Sequence, residues 1–449
     1  MDEIRPDGRW FRDDQGRVRL FHGVNVSGRA KLPPFLAFEP EPRHLDPLRA
    51  WGFNLARLVL TWEGVEPARG RIDVDYLNRA VALARALGER GLHVLVDLHQ
   101  DVFSRAYGGS GAPVWALPPD DRGPPGWLRG QRWFLGYFLA PGVIRAERDF
   151  WRNARGIQDR FLAVLEAVAR RFRGVPRVLG YDLLNEPMAP PSWLLSGRFE
   201  REILCAFQSR AVAALRQGDP DRMVFVEPVP LQVGQRVRLG AVAGERLGFA
   251  PHLYDFLAIG AGRYLGPGVS SFAAAAHRVA AFSEERGWPA VIGEFGALNG
   301  VRRAVTMLDD ECALFDRLWL SWTAWMYDPV GPDWNDEGAS LVDVGGAERP
   351  WLDPLVRPYP RAIAGRPIAS RFDRVARTYE LCFEPGGGAA PGAIAANATS
   401  EVFVPRARRW AERFDVQVSG ADHDWNERES TLRLTASPGA REVRLVVQG

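Results

Sequence analysis

The hydrophobic pattern between residues 17 and 350 alternates short apolar runs with amphipathic stretches. The apolar runs have the composition of buried strands and cover Val18–Val24, Phe53–Leu60, Leu92–Leu98, Val178–Leu184, Met223–Val226, Leu247–His252, Ala290–Glu294 and Trp322–Tyr327. Helical periodicity lies between several of them, over Val74–Arg90, Ile157–Arg171 and Phe272–Arg286. This alternation is typical of a parallel sheet, and eight units in roughly 330 residues predict an α/β fold of the (β/α)8 TIM-barrel type. The alternative, a doubly wound sheet, needs a phosphate-binding glycine fingerprint, which FHGVNVSG after residue 20 does not supply.

The tail of the chain changes its pattern to period-two alternation with Gly/Pro turns. The alternating runs are Arg377–Phe383, Thr399–Val404, Phe414–Val418, Thr431–Thr435 and Glu442–Val447. This pattern predicts an antiparallel β-sandwich. We therefore divide the chain into a catalytic barrel, residues 1–360, and a C-terminal sandwich, residues 361–449. A low-complexity stretch at 385–396 is predicted to be a loop.

A long connection between His99 and Glu186 is rich in aromatic residues. They are Phe103, Tyr107, Trp115, Trp127, Trp133, Phe134, Tyr137, Phe138, Phe150 and Trp151. The segment is either a local core that holds down a large loop or an apolar wall beside a binding site, since long barrel loops often shape the substrate cleft.

Composition and charge limit the kinds of binding partner and site that the chain is expected to have. The net charge of +2 predicts no nucleic-acid partner and no electrostatic binding to anionic membranes. The cysteines Cys205, Cys312 and Cys382 have neither metal-site nor disulfide spacing. The polar, acidic first residues do not resemble a signal peptide, and no apolar run approaches the roughly 20 residues of a membrane span. We expect a cytoplasmic protein for the sequence as given, or a secreted one if the chain is a mature form.

Two glutamates end hydrophobic runs in unusual local sequences. Glu186 lies in GYDLLNEP and Glu294 in PAVIGEFGA. A carboxylate at the end of a buried strand is costly unless it is paired or has a function. Glycoside hydrolysis uses two such groups, one to protonate the leaving oxygen and one to attack or to activate water.

Further polar residues occupy similar positions. Candidates are Arg57 within the second run, His99 with Asp97, Gln100 and Asp101 after the third, Asn185 beside Glu186, His252 and Tyr254 after the sixth, and Trp325 in the eighth. Each also has a purely structural interpretation: the histidines as hydrogen-bonded core residues, Arg57 as a structural ion pair, Trp325 as barrel packing. No HxH or HExxH spacing supports a metal site, and no GxSxG elbow supports a serine hydrolase.

These residues together resemble glycoside hydrolase family 5, a retaining clan of (β/α)8 enzymes. The segments DLHQDVFS, the aromatic insertion and the EVFVP segment of the tail resemble the endoglycoceramidases and their glucosylceramidase-like relatives. The resemblance implies that Glu186 is the general acid/base and Glu294 the nucleophile. It further implies that Arg57 and Tyr254 orient and ionise Glu294.

The same resemblance implies the sugar contacts. Asn185 would contact the 2-hydroxyl, and His99, Asp101 and Trp325 would hold the sugar next to the scissile bond, with His252 among the supporting residues. Lys31, the chain's single lysine, lies in the loop after the first strand, where these enzymes can present a sugar-contacting lysine.

The resemblance thus predicts a retaining β-glycosidase that cleaves the sugar–lipid bond of glycosphingolipids, with no cofactor and no metal. The substrate would be a glycolipid or another β-glycoside, with transient contact to a lipid surface or micelle; the oligomeric state is not indicated. Alternatives are an exo-acting β-glucosidase or glucosylceramidase on single-sugar glycolipids, a β-glucan or mannan hydrolase, and a binding protein with an inactive barrel. The last of these would be expected to have lost one glutamate, whereas both are present.

Overall fold

The computed structural model describes residues 3–119, 123–230, 237–298, 300–331, 334–386, 394–395 and 397–449. The loop predicted at 385–396 lies for the most part outside these residues. Within the described ranges, none of the helices is long and apolar enough to cross a bilayer.

The strands fall into one parallel and two antiparallel sheets. In chain order they are β1 (Arg5–Asp7), β2 (Trp10–Arg12), β3 (Val18–Arg19), β4 (His22–Val26), β5 (Leu55–Thr61), β6 (His93–His99), β7 (Val178–Asp182), β8 (Met223–Val226), β9 (Leu247–Phe249), β10 (Val291–Ile292), β11 (Ser321–Tyr327), β12 (Tyr359–Ile363), β13 (Gly365–Asp373), β14 (Thr378–Pro385), β15 (Ser400–Phe403), β16 (Asp415–Ser419), β17 (Ala421–Asn426), β18 (Thr431–Ala436) and β19 (Val443–Gln448). The parallel sheet is the barrel, and the antiparallel sheets form the sandwich.

Helices connect most of the barrel strands. They are α1 (Pro42–Ala50), α2 (Trp62–Val65), α3 (Val74–Glu89), α4 (Gly136–Leu139), α5 (Pro141–Trp151), α6 (Ile157–Phe172), α7 (Pro191–Leu195), α8 (Cys205–Gly218), α9 (Phe256–Ala261), α10 (Phe272–Arg286), α11 (Ala304–Leu318) and α12 (Arg406–Arg409), with a π-helical turn at Phe199–Leu204. Side-chain caps fix some of the starts: Asp73 accepts the Tyr76 N–H at the start of α3, and Asp255 accepts two N–H groups at the start of α9.

The predicted TIM barrel is confirmed. The strands pair in parallel in the order β10-β11-β4-β5-β6-β7-β8-β9. Bridges from Phe249 to Ala290 and from His252 to Glu294 close the ring between β9 and β10. The first predicted run began too early, because Val18–Arg19 pairs in another sheet and the barrel strand begins at His22.

The sandwich contains strands from both ends of the chain. One sheet has the order β1-β2-β3-β12-β15-β18-β17 and the other β13-β14-β19-β16. Its core joins Val18 from β3 to Ile363, Tyr379 and Trp410. The pairing places residues 5–19 in this sheet, while the domain boundary at residue 360 stays a prediction.

The aromatic insertion divides into two parts: one forms a local core, and the other lines the cleft. Phe150 contacts Trp62, Phe161 and Phe207 through edge-on ring contacts, which is a local core. Trp133, Phe134, Tyr137 and Phe138 instead line the cleft at the barrel mouth.

The α5 helix of the insertion carries a buried carboxyl, Glu147, in an aromatic surrounding. Its Oε2 has no hydrogen-bond partner among the described residues. Burial raises the pKa of Glu147 well above its ordinary value. A raised folded-state pKa means that the folded protein binds more protons than the unfolded chain above about pH 4.3, so stability falls with rising pH by up to about 1.4 kcal/mol per pH unit.

Glu147→Gln is therefore expected to match the wild type in thermal midpoint near pH 4 and to exceed it increasingly toward pH 8. Melting curves across this range test the expectation. Glu285→Gln, on an exposed position of α10, is the control. The expectation for Glu147 would be contradicted if the thermal midpoints of both variants and the wild type depended equally on pH.

Candidate active site

The centre of the barrel mouth is organised around Arg57, which β5 presents with none of its side chain exposed. Its guanidinium lies 2.8–3.1 Å from Asn25, Asp97, Asp182, Asn185, Glu227 and Glu294. Burial acts to lower its pKa, but these carboxylates outweigh burial and raise the pKa well above its ordinary value. Arg57 is thus a fixed cation at the barrel mouth, paired with several carboxylates.

Glu294 follows β10, and its carboxylate has two donors. Arg57 donates to Oε1 at 2.8 Å and the Tyr254 hydroxyl donates to Oε2 at 2.9 Å. The glycine after Phe295 allows the next strand to approach, since a Cβ at Gly296 would lie 2.6 Å from the Trp325 carbonyl oxygen. The GEFG sequence therefore places a negative charge beside a cation at the mouth.

Glu186 follows β7, and its carboxyl group lies close to that of Glu294. Its backbone is left-handed, with φ of 45°, and its side chain is 15% exposed. Burial and the negative charge of Glu294 raise its pKa, against the opposing effect of His252. Glu186 therefore keeps its proton to higher pH than an ordinary glutamate does.

His252 joins the two carboxyl groups. Its Nδ1 lies 2.9 Å from Glu186 Oε1 and 3.5 Å from Glu294 Oε2, and its Nε2 lies 3.4 Å from Glu227. Burial acts to lower the pKa of His252, but Glu227 and Glu294 outweigh it and raise the pKa well above its ordinary value. The ring is therefore an imidazolium at neutral pH.

The two carboxyl groups are close. One ligand atom each of Glu186, His252 and Glu294 lie within 4.8 Å of one another, a spacing that a metal ion could also use. The two carboxyl groups already have hydrogen-bond partners in this structure, Arg57 and Tyr254 for Glu294 and His252 for Glu186. Retaining glycosidases have carboxyl groups about 5–5.5 Å apart and inverting ones about 6.5–9.5 Å; a pair of carboxyl oxygens within 4.8 Å is compatible with the shorter, retaining separation.

One side of the cleft is polar and aromatic. Lys31 Nζ lies 2.9 Å from Asp101, 4.3 Å from the centre of the Trp325 ring and 3.7 Å from that of Trp334. His99 lies parallel to Trp325 at 5.4 Å between ring centroids. Its Nδ1 lies 2.7 Å from Asp97 and its Nε2 3.3 Å from Asp101.

The charges of this side are set by the same neighbours. Burial and Lys31 act to lower the pKa of His99, but Asp101 and Asp97 raise it to about 9. Burial acts to raise the pKa of Asp101, but Lys31 and His99 outweigh it and hold the pKa well below its usual range. His99 and Asp101 therefore form an ion pair, and Lys31 Nζ lies 2.9 Å from the same carboxylate.

The cleft is also lined by apolar residues, namely Phe134, Phe138, Met188, Pro230, Phe256, Ile259 and Leu298. The same cleft contains both glutamates, so the site combines charged, polar and apolar side chains.

All of the site residues predicted from the sequence meet at this mouth. Asn185 accepts a hydrogen bond from Arg57 at 2.8 Å and donates one to the Gln100 carbonyl oxygen at 2.9 Å. The structure adds residues that the sequence did not single out, namely Asp182, Glu227 and Glu337. Asp182 lies within an apolar run and Glu227 follows one, a signal that was present in GYDLL and VFVEP.

Glu337 connects the insertion to the barrel. It accepts the indole N–H groups of Trp133 at 3.1 Å and Trp325 at 3.0 Å. Burial raises its pKa to about 7, against the effect of Lys31. Nothing in the sequence around Glu337 indicates this position.

Arg57→Met is expected to reduce the free energy of unfolding by about 3–5 kcal/mol, because it leaves several buried carboxylates without their cation. Chemical denaturation monitored by tryptophan fluorescence measures this loss. Arg366→Met, which removes an exposed pair with Glu384, should leave the denaturation midpoint unchanged. Equal midpoints for both variants would contradict the central role of Arg57.

Comparisons with known proteins found two matching family models and several similar proteins. The family model described as cellulase (glycosyl hydrolase family 5) matches residues 24–331, and the model of the glycoside hydrolase family 5 C-terminal domain matches residues 357–447. Endoglycoceramidase I of Rhodococcus hoagii (strain 103S) is 31% identical, covering 99% of this chain and 86% of its own length. A glucosylceramidase of Rhizopus delemar is 34% identical over 41% of this chain and 35% of its own.

Solved structures agree with these relatives. Endo-glycoceramidase II from Rhodococcus sp. in a lactosyl-enzyme intermediate superimposes with a TM-score of 0.79 at 29% identity, and in complex with ganglioside GM3 with a TM-score of 0.78 at 27% identity. In both cases the match covers 98% of this chain and 99% of the other.

Proposed function

Because this chain belongs to glycoside hydrolase family 5, we propose that it is a retaining β-glycosidase that hydrolyses the bond between sugar and ceramide in glycosphingolipids. The observation that carries the proposal is the cleft at the barrel mouth, which brings Glu186 and Glu294 together with Lys31, Asp101 and Trp325 and with apolar residues such as Phe134 and Phe256. The endoglycoceramidase relatives and the ganglioside complex of one of them support this choice of substrate.

The first half of the reaction uses both carboxyl groups at once. A carboxylate oxygen of Glu294 attacks the anomeric carbon while Glu186 gives its proton to the glycosidic oxygen, so that the C–O bond breaks and ceramide leaves with its hydroxyl group restored. Arg57 and Tyr254 hold Glu294 in place through their hydrogen bonds. A glycosyl ester on Glu294 is the product of this step.

The second half reverses the proton transfer. Once Glu294 is an ester, its negative charge no longer raises the pKa of Glu186, which then acts as a base. Glu186 takes a proton from water, the water oxygen attacks the anomeric carbon, and Glu294 leaves as a carboxylate. The sugar is released with its original β configuration.

The polar and aromatic residues of the cleft are proposed to bind the sugar. We assign His99, Asp101, Lys31 and Trp325 to the sugar next to the scissile bond and Asn185 to its 2-hydroxyl. The apolar residues of the cleft, Phe134, Phe138 and Phe256 among them, would hold the first part of the ceramide.

The test is incubation of the protein with lactosylceramide and with glucosylceramide, followed by identification of the released sugar. Intact lactose with free ceramide is the expected result. Release of glucose alone, from glucosylceramide alone, would favour the exo-acting alternative, to which the glucosylceramidase relatives point. No release from either substrate, with activity on β-glucan or mannan, would replace the proposal.

We further propose that the barrel mouth contacts the lipid surface that contains the substrate. Large exposed apolar residues lie on the connections that follow barrel strands: Trp127, Phe134, Leu139, Leu195, Phe256, Leu257, Leu265 and Val269. Connections after parallel barrel strands lie at one face of the fold, the face with the active site.

The variant Leu195→Ser/Leu257→Ser is expected to lose several-fold in activity on glycolipid in phosphatidylcholine vesicles and to keep its activity on a soluble nitrophenyl glycoside. Both side chains are exposed, Leu195 by 86%, and neither lines the cleft. Val375→Ser, exposed by 88% in a turn of the sandwich, is the matched control. An equal loss on both substrates, or none, would contradict the contact.

A further inference from the structure

Glu227, which follows β8, contacts the backbone of Glu186 directly and its carboxyl group through His252, and takes no part in the chemical steps described above. Its Oε2 accepts the backbone N–H of Glu186 at 2.8 Å. Its Oε1 lies 3.4 Å from His252 Nε2, and the other ring nitrogen of His252 lies 2.9 Å from Glu186 Oε1. We propose that Glu227 is a positioning residue that fixes both the backbone and the carboxyl group of the acid/base; the proposal rests on the role assigned to Glu186.

The backbone contact is needed because Glu186 adopts a left-handed conformation. With φ of 45°, a residue that has a Cβ is strained, and such strain persists only where the surroundings hold it. A hydrogen bond from the Glu186 N–H to a carboxylate is charge-assisted and therefore among the stronger ones available. Glu227 is 1% exposed, so no water competes for its oxygens at the surface.

The second contact acts through the charge of His252. The imidazolium faces Glu186, Glu227 and Glu294, while Glu227 faces Arg57, Asp182 and His252, with Asp97 beyond Arg57. Burial acts to raise the pKa of Glu227, but His252 and Arg57 outweigh it and lower the pKa, so Glu227 is charged. Its negative charge is the largest favourable influence on the protonated form of His252.

Removal of the Glu227 charge is expected to change the pKa of Glu186 through His252. Without the charge of Glu227, the pKa of His252 falls and the ring becomes neutral at lower pH. A neutral ring no longer favours the ionised form of Glu186, so the pKa of Glu186 rises. The alkaline limb of the pH–rate profile, where the acid loses its proton, should therefore move to higher pH.

Glu227→Gln is expected to lower kcat by about 10²-fold, because a small displacement of the acid has that effect, with KM changed by less than about threefold. Its alkaline limb should lie at higher pH than that of the wild type. The assay uses a 4-nitrophenyl β-glycoside and, in parallel, lactosylceramide in detergent micelles.

The matched control is Glu200→Gln. Glu200 is buried, and its Oε1 accepts the Val229 N–H at 3.1 Å in the same loop, but it contacts neither Glu186 nor His252. This variant should keep both kcat and the position of the limb. A Glu227→Gln profile with the wild-type limb, or an equal loss in the control, would overturn the proposal.

Glu227→Asp distinguishes the effect of the negative charge from the effect of side-chain length. It keeps the negative charge and shortens the side chain, so kcat should fall while the alkaline limb stays in place, and this result can be obtained even if Glu227→Gln does not fold. Wild-type kcat in Glu227→Asp would overturn the backbone contact. If the wild-type protein hydrolyses the nitrophenyl glycoside but not lactosylceramide, the proposed substrate fails and the inference on Glu227 stands or falls separately.

Discussion

Glu294→Gln should lower hydrolysis of lactosylceramide by roughly 10⁴–10⁶-fold, the scale of loss seen when a covalent nucleophile is removed. Glutamine keeps the size of the side chain, yet its neutral amide cannot attack the anomeric carbon. It also removes the negative charge that Arg57 and Tyr254 contact. Initial rates with radiolabelled or fluorescent substrate cover the needed range.

The role of Glu294 is distinguished from a merely structural one by chemical rescue. In Glu294→Ala, azide can enter the space of the missing carboxylate and attack the same face of an activated glycoside. The expected product is an α-glycosyl azide, with the configuration opposite to the substrate. A β-glycosyl azide, or substantial activity in Glu294→Gln, would show that the two carboxyl roles are assigned wrongly.

The loss of activity in Glu186→Gln is expected to depend on the substrate. It should be large when the leaving group needs a proton and small when it does not. General acid catalysis contributes roughly 10²–10⁴-fold, and ceramide leaves as a poor alkoxide unless it is protonated. A dinitrophenolate needs no proton, so the first step with a dinitrophenyl glycoside should be nearly unaffected. Pre-steady-state release of dinitrophenol measures that step alone.

Substitution of Glu186 by alanine gives a second, independent test of its acid/base role. In Glu186→Ala, azide should attack the glycosyl ester from the face where water normally enters and give a β-glycosyl azide. The burst of dinitrophenol should be followed by slow turnover, which azide accelerates. Equal losses for the ceramide and dinitrophenyl substrates would contradict the acid role, and Glu200→Gln provides the control for a buried carboxyl near the same loop.

The main parts of the site were visible in the sequence because each is a polar residue in or after a buried apolar run. Arg57, Glu186 and Glu294 stand out for this reason, and the barrel places them together. Glu227 has the same signal, but a single Glu–Pro in VFVEP resembles an ordinary strand end. What distinguishes it is the left-handed backbone of Glu186, which no local pattern specifies.

Other features depend on contacts between distant segments. Glu337 follows a loop after β11, and its importance comes from Trp133, 204 residues away in the insertion. The strands β1 to β3 are only two or three residues long, which is too short for a periodic signal, and their sheet partner β12 lies near the other end of the chain. Such long-range pairings cannot be obtained from one window of sequence.

The pairing of the chain's two ends has a consequence for biosynthesis. Arg19 bonds to the carbonyl of Arg361, 342 residues later, so at translation rates of about 5–20 residues per second the first strands wait tens of seconds for their partner. During that time their edges are open to chaperones or to neighbouring nascent chains. The sheet that these strands form is therefore completed only after the barrel has been synthesised.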